Sequence, residues 1–162
     1  MSFFKVNKIT KIKTDEMITC TKIVEFDAGH RVFNANAGKC EKLHGHHYKA
    51  ELTFMAKKLD NGIVLDFSLI KDRVKNWIDK HWDHNVILSD RDDELADAIY
   101  KITKQEVFLI ENNATAELMA MFLCTLCNNE LFADMKGEVL CVAVKLWETT
   151  TSFAEYKVVL DN

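Results

Sequence analysis

The sequence contains no proline, which excludes a cis-proline turn and any helix that is ended by a proline. It also contains no run of about eighteen apolar residues, so we expect no membrane-spanning helix and no membrane partner. The first residues, Met1 to Lys8, lack the apolar stretch of a secretory signal peptide. Because the five cysteines are also odd in number, we predict free thiols and a cytoplasmic protein.

A basic excess is missing as well, since the formal net charge is −4. Proteins that bind nucleic acids in general carry a positive surface, so the composition argues against a nucleic-acid partner. An anionic small molecule needs only a local basic patch and stays compatible with this charge. The length of 162 residues and the 48% hydrophobic content fit one globular domain.

Hydrophobic periodicity predicts four strands and two main helices. The strands are predicted at 17–33, 46–57, 139–147 and 153–160. One main helix is predicted to extend to about Lys80 with Ser68 as its N-cap, and the other to Asn129 with Thr115 as its N-cap. A shorter helix is predicted at 92–104. A turn at 59–62 and a short extended piece at 63–67 follow the second strand. This order predicts an α+β domain with one four-stranded antiparallel sheet and two helices on one face.

Four of the six histidines lie close together in the sequence. In a strand, residues i and i+2 point to the same face, so His44 and His46 can bind one metal ion while His47 points away. His30 lies near the end of the preceding strand, and a hairpin-like return would bring it opposite this pair. Three imidazoles leave the fourth tetrahedral position open, which is typical of catalytic zinc. The alternative is a set of surface or hydrogen-bonded histidines.

Cys40 precedes His44 by four residues, in a loop that must fold over the predicted metal site. A thiol close to a dication and to Lys39 and Lys42 is expected to ionise to a thiolate. Two other interpretations stay open, a buried apolar thiol and a fourth ligand that would make the zinc structural. The C-x-x-C motif at 124–127 lies within an apolar helical pattern, so we expect it to pack in the core.

Asp83 and His84 are adjacent, and a carboxylate beside a histidine can orient the ring for proton transfer. Glu148 follows the apolar strand 139–147, where its carboxylate could accept two N–H bonds from an aminopyrimidinone ring. Taken singly, the dipeptide is a weak signal, and Glu148 is better explained as a solvated glutamate.

Several segments in order resemble the 6-pyruvoyl-tetrahydropterin synthase family. They are 26–31 (FDAGHR), 40–48 (CEKLHGHHY), 62–67 (GIVLDF), 82–85 (WDHN), 113–117 (NATAE) and 147–149 (WET). The resemblance extends from about residue 23 to residue 156. Within this range, the sequence departs from the family pattern at Trp82 and Ala114. It implies a single domain over 1–162, in which 1–16 is an N-terminal arm and 89–112 an inserted segment.

The resemblance also implies a role for each candidate residue. The catalytic residues would be Cys40, Asp83 and His84, the substrate-binding residues Glu148 and Thr115, and the zinc ligands His30, His44 and His46. The thiolate would move protons on the substrate side chain, with the Asp-His pair as its acid/base relay, and Glu148 would anchor the pterin ring. The implied fold is the T-fold, or tunnelling fold, in which oligomerisation forms a barrel. Its implied assembly is a homohexamer of two stacked trimers with sites between subunits.

Two activities are known in this family, and both use 7,8-dihydroneopterin triphosphate as the substrate. One eliminates triphosphate to give 6-pyruvoyl-tetrahydropterin. The other, in queuosine and 7-deazaguanine biosynthesis, gives 6-carboxy-5,6,7,8-tetrahydropterin with release of acetaldehyde and triphosphate. The C-x-x-x-H-G-H spacing from Cys40 to His46 resembles the second type, so we predict this lyase activity with the first as the alternative.

A non-catalytic zinc- or pterin-binding protein is less expected, because Cys40, His84 and Glu148 are all present. The triphosphate of the substrate would need cationic side chains. Arg31, Lys39 and Lys42 are the candidates for that role.

Overall fold

The computed structural model describes residues 17–159, so the predicted N-terminal arm at 1–16 lies outside the described residues. The strands are β1 (Thr19–His30), β2 (His44–Ala56), β3 (Asn85–Ser89), β4 (Phe108–Ile110), β5 (Val139–Trp147) and β6 (Phe153–Lys157). The α-helices are α1 (Phe67–Ile70), α2 (Asn76–His81), α3 (Asp93–Thr103) and α4 (Ala116–Leu126). Together the strands form one mixed sheet in the order β4-β3-β1-β2-β5-β6.

The four predicted strands form the antiparallel part of this sheet, β1-β2-β5-β6. The prediction of only four strands is wrong, because β3 pairs in parallel with the end of β1 and β4 pairs in parallel with β3. Both added strands are short, with five and three residues, which is too short to show a reliable alternation of apolar and polar side chains.

The long pairing of β1 with β2 decides which side chains face the core. In its register, His30 lies opposite His44, Ala28 opposite His46 and Phe26 opposite Tyr48. Alternate side chains of both strands therefore point to the same face, where the buried apolar residues lie. This face is covered by the helices, and α4 contacts β5 and β6.

The helix predicted to begin at Ser68 is continuous from Phe67 to His81, with a π-helical turn at Lys71–Lys75 between α1 and α2. Its N-cap is Asp66 and not Ser68, because the Asp66 carboxylate accepts a 2.7 Å hydrogen bond from the Ser68 N–H. The predicted extended piece at 63–67 is not a strand, and only Ile63 forms a bridge across the turn.

The other helix boundaries agree closely with the predictions. Thr115 is the N-cap of α4 and accepts from the Leu118 N–H at 3.4 Å. A π-helical turn, Cys127–Leu131, extends α4, and α3 lies within the predicted 92–104. None of the helices in the described part of the chain is long and apolar enough to cross a membrane.

Trp82 is fully buried at the centre of an aromatic cluster. Its ring lies 5.6 Å from that of Phe26, 5.8 Å from Phe108 and 5.6 Å from Phe122. The cluster joins α2, β1, β4 and α4, so a large side chain at position 82 fills the space between them. The cysteines of the C-x-x-C motif are buried in the same core, as the helical pattern predicts.

Truncation of the fully buried Leu52 on β2 to alanine should lower the free energy of unfolding by about 2–5 kcal/mol, through lost burial and the cavity left behind. Equilibrium unfolding in urea measures the difference. The matched control is Leu109→Ala on β4, where the leucine is 47% exposed, and we expect a change within about 0.5 kcal/mol. Equal losses in the two variants would contradict this description of the core.

Candidate active site

Three imidazoles converge at the end of the β1–β2 pair. The ring centroids are separated by 4.6 Å for His30 and His44, 5.1 Å for His30 and His46, and 4.8 Å for His44 and His46. One ligand atom from each residue lies within 4.8 Å of the other two. The structure thus brings together the three predicted metal ligands.

Backbone carbonyls fix the tautomers of two of these rings. His30 Nδ1 lies 2.7 Å from the Ala114 oxygen, and His44 Nδ1 lies 2.6 Å from the Lys42 oxygen. A carbonyl oxygen can only accept, so each Nδ1 carries the proton and donates it. Nε2 of each ring then keeps a lone pair for a metal ion, as in metal sites whose outer hydrogen bonds orient the ligands.

The His30 ring is 1% exposed, and burial lowers its pKa although the Ala114 carbonyl and the Glu148 carboxylate oppose this. Burial likewise lowers the pKa of His46. The lowered pKa values favour the neutral form of both rings, which is the form that binds metals. His30 Nε2 has no hydrogen-bond partner among residues 17–159, an arrangement that is costly unless another group fills the position. Three imidazole nitrogen donors suit zinc well.

A cavity of about 230 Å³ lies beside the imidazoles. Four predicted site residues line it: His30, Cys40, Thr115 and Glu148. Cys40 lies on the short 3₁₀-helix Gly38–Glu41, which is held to the chain after β1 by the Val32 N–H bond to the Cys40 oxygen at 2.8 Å. The Cys40 thiol is exposed and free, so the alternative of a buried apolar thiol is wrong. It is also outside the group of converging ligand atoms.

Glu148 directly follows β5 and faces the imidazoles. Its Oε1 lies 3.3 Å from His30 Nε2 and 3.9 Å from His46 Nε2. The backbone holds this position, because the Glu148 N–H donates to the Ser152 oxygen at 3.0 Å in the turn that leads to β6. The carboxylate therefore stands at the boundary between the imidazoles and the cavity.

Asp83 and His84 lie apart from this group. Asp83 Oδ1 accepts from the Asp27 N–H at 2.9 Å, the His84 N–H donates to the Asp27 oxygen at 2.7 Å, and His84 Nδ1 is 3.0 Å from Asp83 Oδ2. Burial opposes ionisation of Asp83, but the hydrogen bonds from Asp27 and His84 hold its pKa below the usual value.

His84 lines a different cavity, of about 550 Å³, together with Asp27, Gly29, Gly45 and His47. Because these strand residues alternate with the core-facing ones, the cavity opens mainly on the opposite face of the sheet, and Ala28 and His46 also contribute to its lining. Neither cavity contains both Cys40 and His84. One copy of the chain therefore does not bring the predicted relay to the thiol.

Sequence reasoning missed Tyr48, whose ring centroid lies 5.9 Å from that of His30 and 5.6 Å from that of His46. Its hydroxyl is buried without a hydrogen-bond partner in the described residues, and burial, with the nearby Glu148 charge, raises its pKa. The signal was in the sequence, because positions 44, 46 and 48 of one strand share a face.

Arg31, a candidate for binding triphosphate, is already paired. Its Nε and one terminal nitrogen each donate to Asp92 at 2.5 Å, and the Asp92 carboxylate is 1% exposed. A bidentate pair of this kind uses the guanidinium edge that would bind a phosphate. Its effect is to fasten the start of α3 to the residue after His30.

Residues 19–158 match the protein family described as 6-pyruvoyl tetrahydropterin synthase. The chain belongs to this family. Among curated members, the 6-carboxy-5,6,7,8-tetrahydropterin synthase of Rickettsia typhi is 44% identical over 140 residues, which cover 86% of this chain and 99% of the relative. The protein of the same name from Aquifex aeolicus is 36% identical over 156 residues, covering 85% and 96%. These names agree with the activity that the sequence predicts.

Solved structures show that this member of the 6-pyruvoyl tetrahydropterin synthase family shares its fold with distant proteins. An uncharacterized protein from Wolinella succinogenes superposes with a TM-score of 0.74 at 21% identity, over 88% of this chain and 98% of the other. The Plasmodium vivax 6-pyruvoyltetrahydropterin synthase gives 0.64 at 18% identity, over 89% and 100%.

If the three imidazoles bind a metal ion, replacing His44 with alanine should abolish its retention, because two imidazoles cannot complete the site. Metal content after dialysis, measured by atomic emission, tests this. His47→Ala on the same strand is the matched control, since His47 faces the other side of the sheet and pairs with Asp27 at 2.9 Å. A His44→Ala protein with normal metal content would remove His44 from the ligand set.

Proposed function

We propose that this protein is a zinc-dependent 6-carboxy-5,6,7,8-tetrahydropterin synthase. It would convert 7,8-dihydroneopterin triphosphate to 6-carboxytetrahydropterin with release of acetaldehyde and triphosphate, as a lyase of queuosine and 7-deazaguanine biosynthesis. The observation that carries the proposal is the cavity at which His30, Cys40, Thr115 and Glu148 meet. The names of relatives that match nearly their full length support the choice of reaction.

Each predicted site residue at the cavity has a task in this reaction. Glu148 accepts two N–H bonds from the aminopyrimidinone edge of the pterin, and Thr115 forms part of the same wall. His30, His44 and His46 would hold the zinc ion, which when bound supplies Lewis-acid polarisation of the substrate side-chain oxygens. Cys40, at the same cavity, accepts and returns protons as a thiolate.

The proposed relay from Asp83 and His84 needs a second subunit. The cavity of about 230 Å³ is smaller than the roughly 300–1,000 Å³ of common ligand sites, so one chain provides only part of the wall. His84 is 80% exposed on the other sheet face, where a neighbouring copy can meet it. With Asp83 orienting the ring, His84 of one copy would exchange protons with Cys40 of another.

The sheet edges support an assembly of this kind. Within residues 17–159, β1 pairs with β3 only at residues 28–30, so residues 19–27 of β1 have no partner strand on that side, and the outer edge of β6 has none either. Open edges of this length favour pairing with another chain. We propose that three sheets close into the barrel of a T-fold and that two trimers stack as a homohexamer.

The triphosphate would extend out of the cavity. Among the described residues, those that line it include two carboxylates, Glu117 and Glu148, and no lysine or arginine. Lys39 and Lys42, which flank Cys40, are the proposed cations for the triphosphate, whereas Arg31 is engaged by Asp92. The free thiols support a reducing compartment such as the cytoplasm.

A product assay tests the proposed reaction. The zinc-loaded protein is incubated with 7,8-dihydroneopterin triphosphate, the pterin is identified by mass spectrometry and acetaldehyde is trapped in parallel. We expect a carboxypterin with acetaldehyde. A pyruvoylpterin without acetaldehyde would instead support triphosphate elimination, and zinc binding without turnover would support a binding protein.

Replacing Cys40 with alanine should lower kcat by at least about 100-fold, the lower range for loss of an acid/base group, while metal content stays normal. Steady-state kinetics and metal analysis measure the two effects. Cys20→Ala on β1 is the matched control and should retain activity, because Cys20 lies outside the cavity residues. An active Cys40→Ala enzyme would exclude the thiolate from the mechanism.

Glu148→Gln keeps the shape of the side chain but removes its charge. We expect KM to rise about 10-fold or more, because hydrogen bonds to charged groups contribute roughly 1.5–3 kcal/mol. The exposed Glu138→Gln serves as control, and initial-rate kinetics give both constants. An unchanged KM would contradict the role of Glu148 as the pterin anchor.

A further inference from the structure

The Ala114 carbonyl that orients His30 belongs to a segment far from β1 in the sequence. Ala114 is buried between β4 and α4, and its oxygen accepts the His30 Nδ1–H bond at 2.7 Å. The next residue, Thr115, caps α4 and lines the cavity. The position of this segment therefore decides both the tautomer of a metal ligand and the place of a cavity wall.

The Asn113 side chain fastens this segment to the chain that follows His30. Its Oδ1 accepts from the Phe33 N–H at 2.8 Å, and its Nδ2 donates to the Phe33 oxygen at 2.9 Å. The amide thus pairs with both backbone groups of one residue, as a neighbouring strand would. Oδ1 also accepts from the Ala114 N–H at 3.2 Å, which fixes the peptide leading to the carbonyl that His30 uses.

The second attachment of the same loop lies at Arg31, which pairs with the buried Asp92 and stacks over the Phe33 ring at 5.4 Å. Residues 31–33 are therefore held at both ends, by Asp92 on one side and by Asn113 on the other. Of these two attachments, only the Asn113 side chain also bonds to Ala114, by accepting from its N–H. A change at Asn113 would move that carbonyl relative to His30 without touching the imidazoles themselves.

We propose that Asn113 is a positioning residue that holds the Ala114 carbonyl against His30 and thereby preorganises the metal centre. This inference rests on the proposed metal site. Asn113 contacts neither the ligand nitrogens nor the cavity, so its effect is transmitted through Phe33 and Ala114. Outer hydrogen bonds to a ligating histidine typically change metal affinity by about 10–100-fold when they are lost.

The test compares zinc affinity in three variants, Asn113→Ala, Asn113→Asp and the control Asn129→Ala, which changes an exposed residue after α4. Zinc dissociation constants come from competition with a chromophoric chelator, and thermal unfolding of the metal-free proteins reports stability separately. We expect Asn113→Ala to bind zinc about 10-fold more weakly, and Asn129→Ala to match the wild type. The visible spectrum of the cobalt-substituted protein should change in Asn113→Ala and stay that of the wild type in Asn129→Ala.

Asn113→Asp keeps an acceptor for the Phe33 and Ala114 N–H groups but loses the donor to the Phe33 oxygen. We expect it to bind zinc at least about threefold more weakly than the wild type, and it decides the outcome where Asn113→Ala does not fold. A folded variant that is less stable but has wild-type zinc affinity and cobalt spectrum would overturn the inference. A wild-type protein that binds no zinc would instead overturn the proposed metal site, and this inference with it.

Discussion

The register of β1 against β2 is the constraint on which the candidate site depends. It sets His30 opposite His44 and Ala28 opposite His46, so that all three imidazoles face the core. A slip of one residue would turn His44 and His46 to the opposite face and bring Gly45 and His47 inward. The apolar rows farther along the same strands prevent this slip, since Phe26 and Tyr48 stack at 5.1 Å in the buried layer. Ordinary core packing thus determines the ligand geometry.

The burial of His30 gives this geometry an energetic cost that must be offset locally. One ring nitrogen is satisfied by the Ala114 carbonyl, which comes from a segment 84 residues away in the sequence. The other has no hydrogen-bond partner in the described chain, and an unsatisfied buried polar atom costs about 1–3 kcal/mol. A bound metal would remove this cost, so metal binding and folding should be coupled in this protein.

Local patterns were sufficient for most of the site and for the long elements. Strand β5 has the predicted bounds, Thr115 caps α4 as predicted, and the i, i+2 spacing places His44 and His46 on one face. Each of these features depends on residues that are neighbours in the sequence.

Features that depend on distant residues could not be predicted. The parallel strands β3 and β4 need β1 as a template, and each is too short to show a period. Arg31 looks like a free cation until the chain brings Asp92, 61 residues later, into contact with it. The N-cap predicted at Ser68 is instead Asp66, whose carboxylate accepts from the Ser68 N–H. Asp and Ser are about equally good N-caps, so residue type alone does not distinguish two positions this close together.

The two faces of the sheet divide the proposed catalytic residues. Cys40 and Glu148 line the cavity beside the imidazoles, whereas His84 lines the other cavity together with Asp27, His46 and His47. Neither cavity contains both groups, so under the proposed function the relay of one copy would act on the thiol of another. In the proposed assembly, pairing the open edges would therefore protect exposed strands and also complete the active site. A dissociated subunit would keep its metal ligands and lack its proton relay.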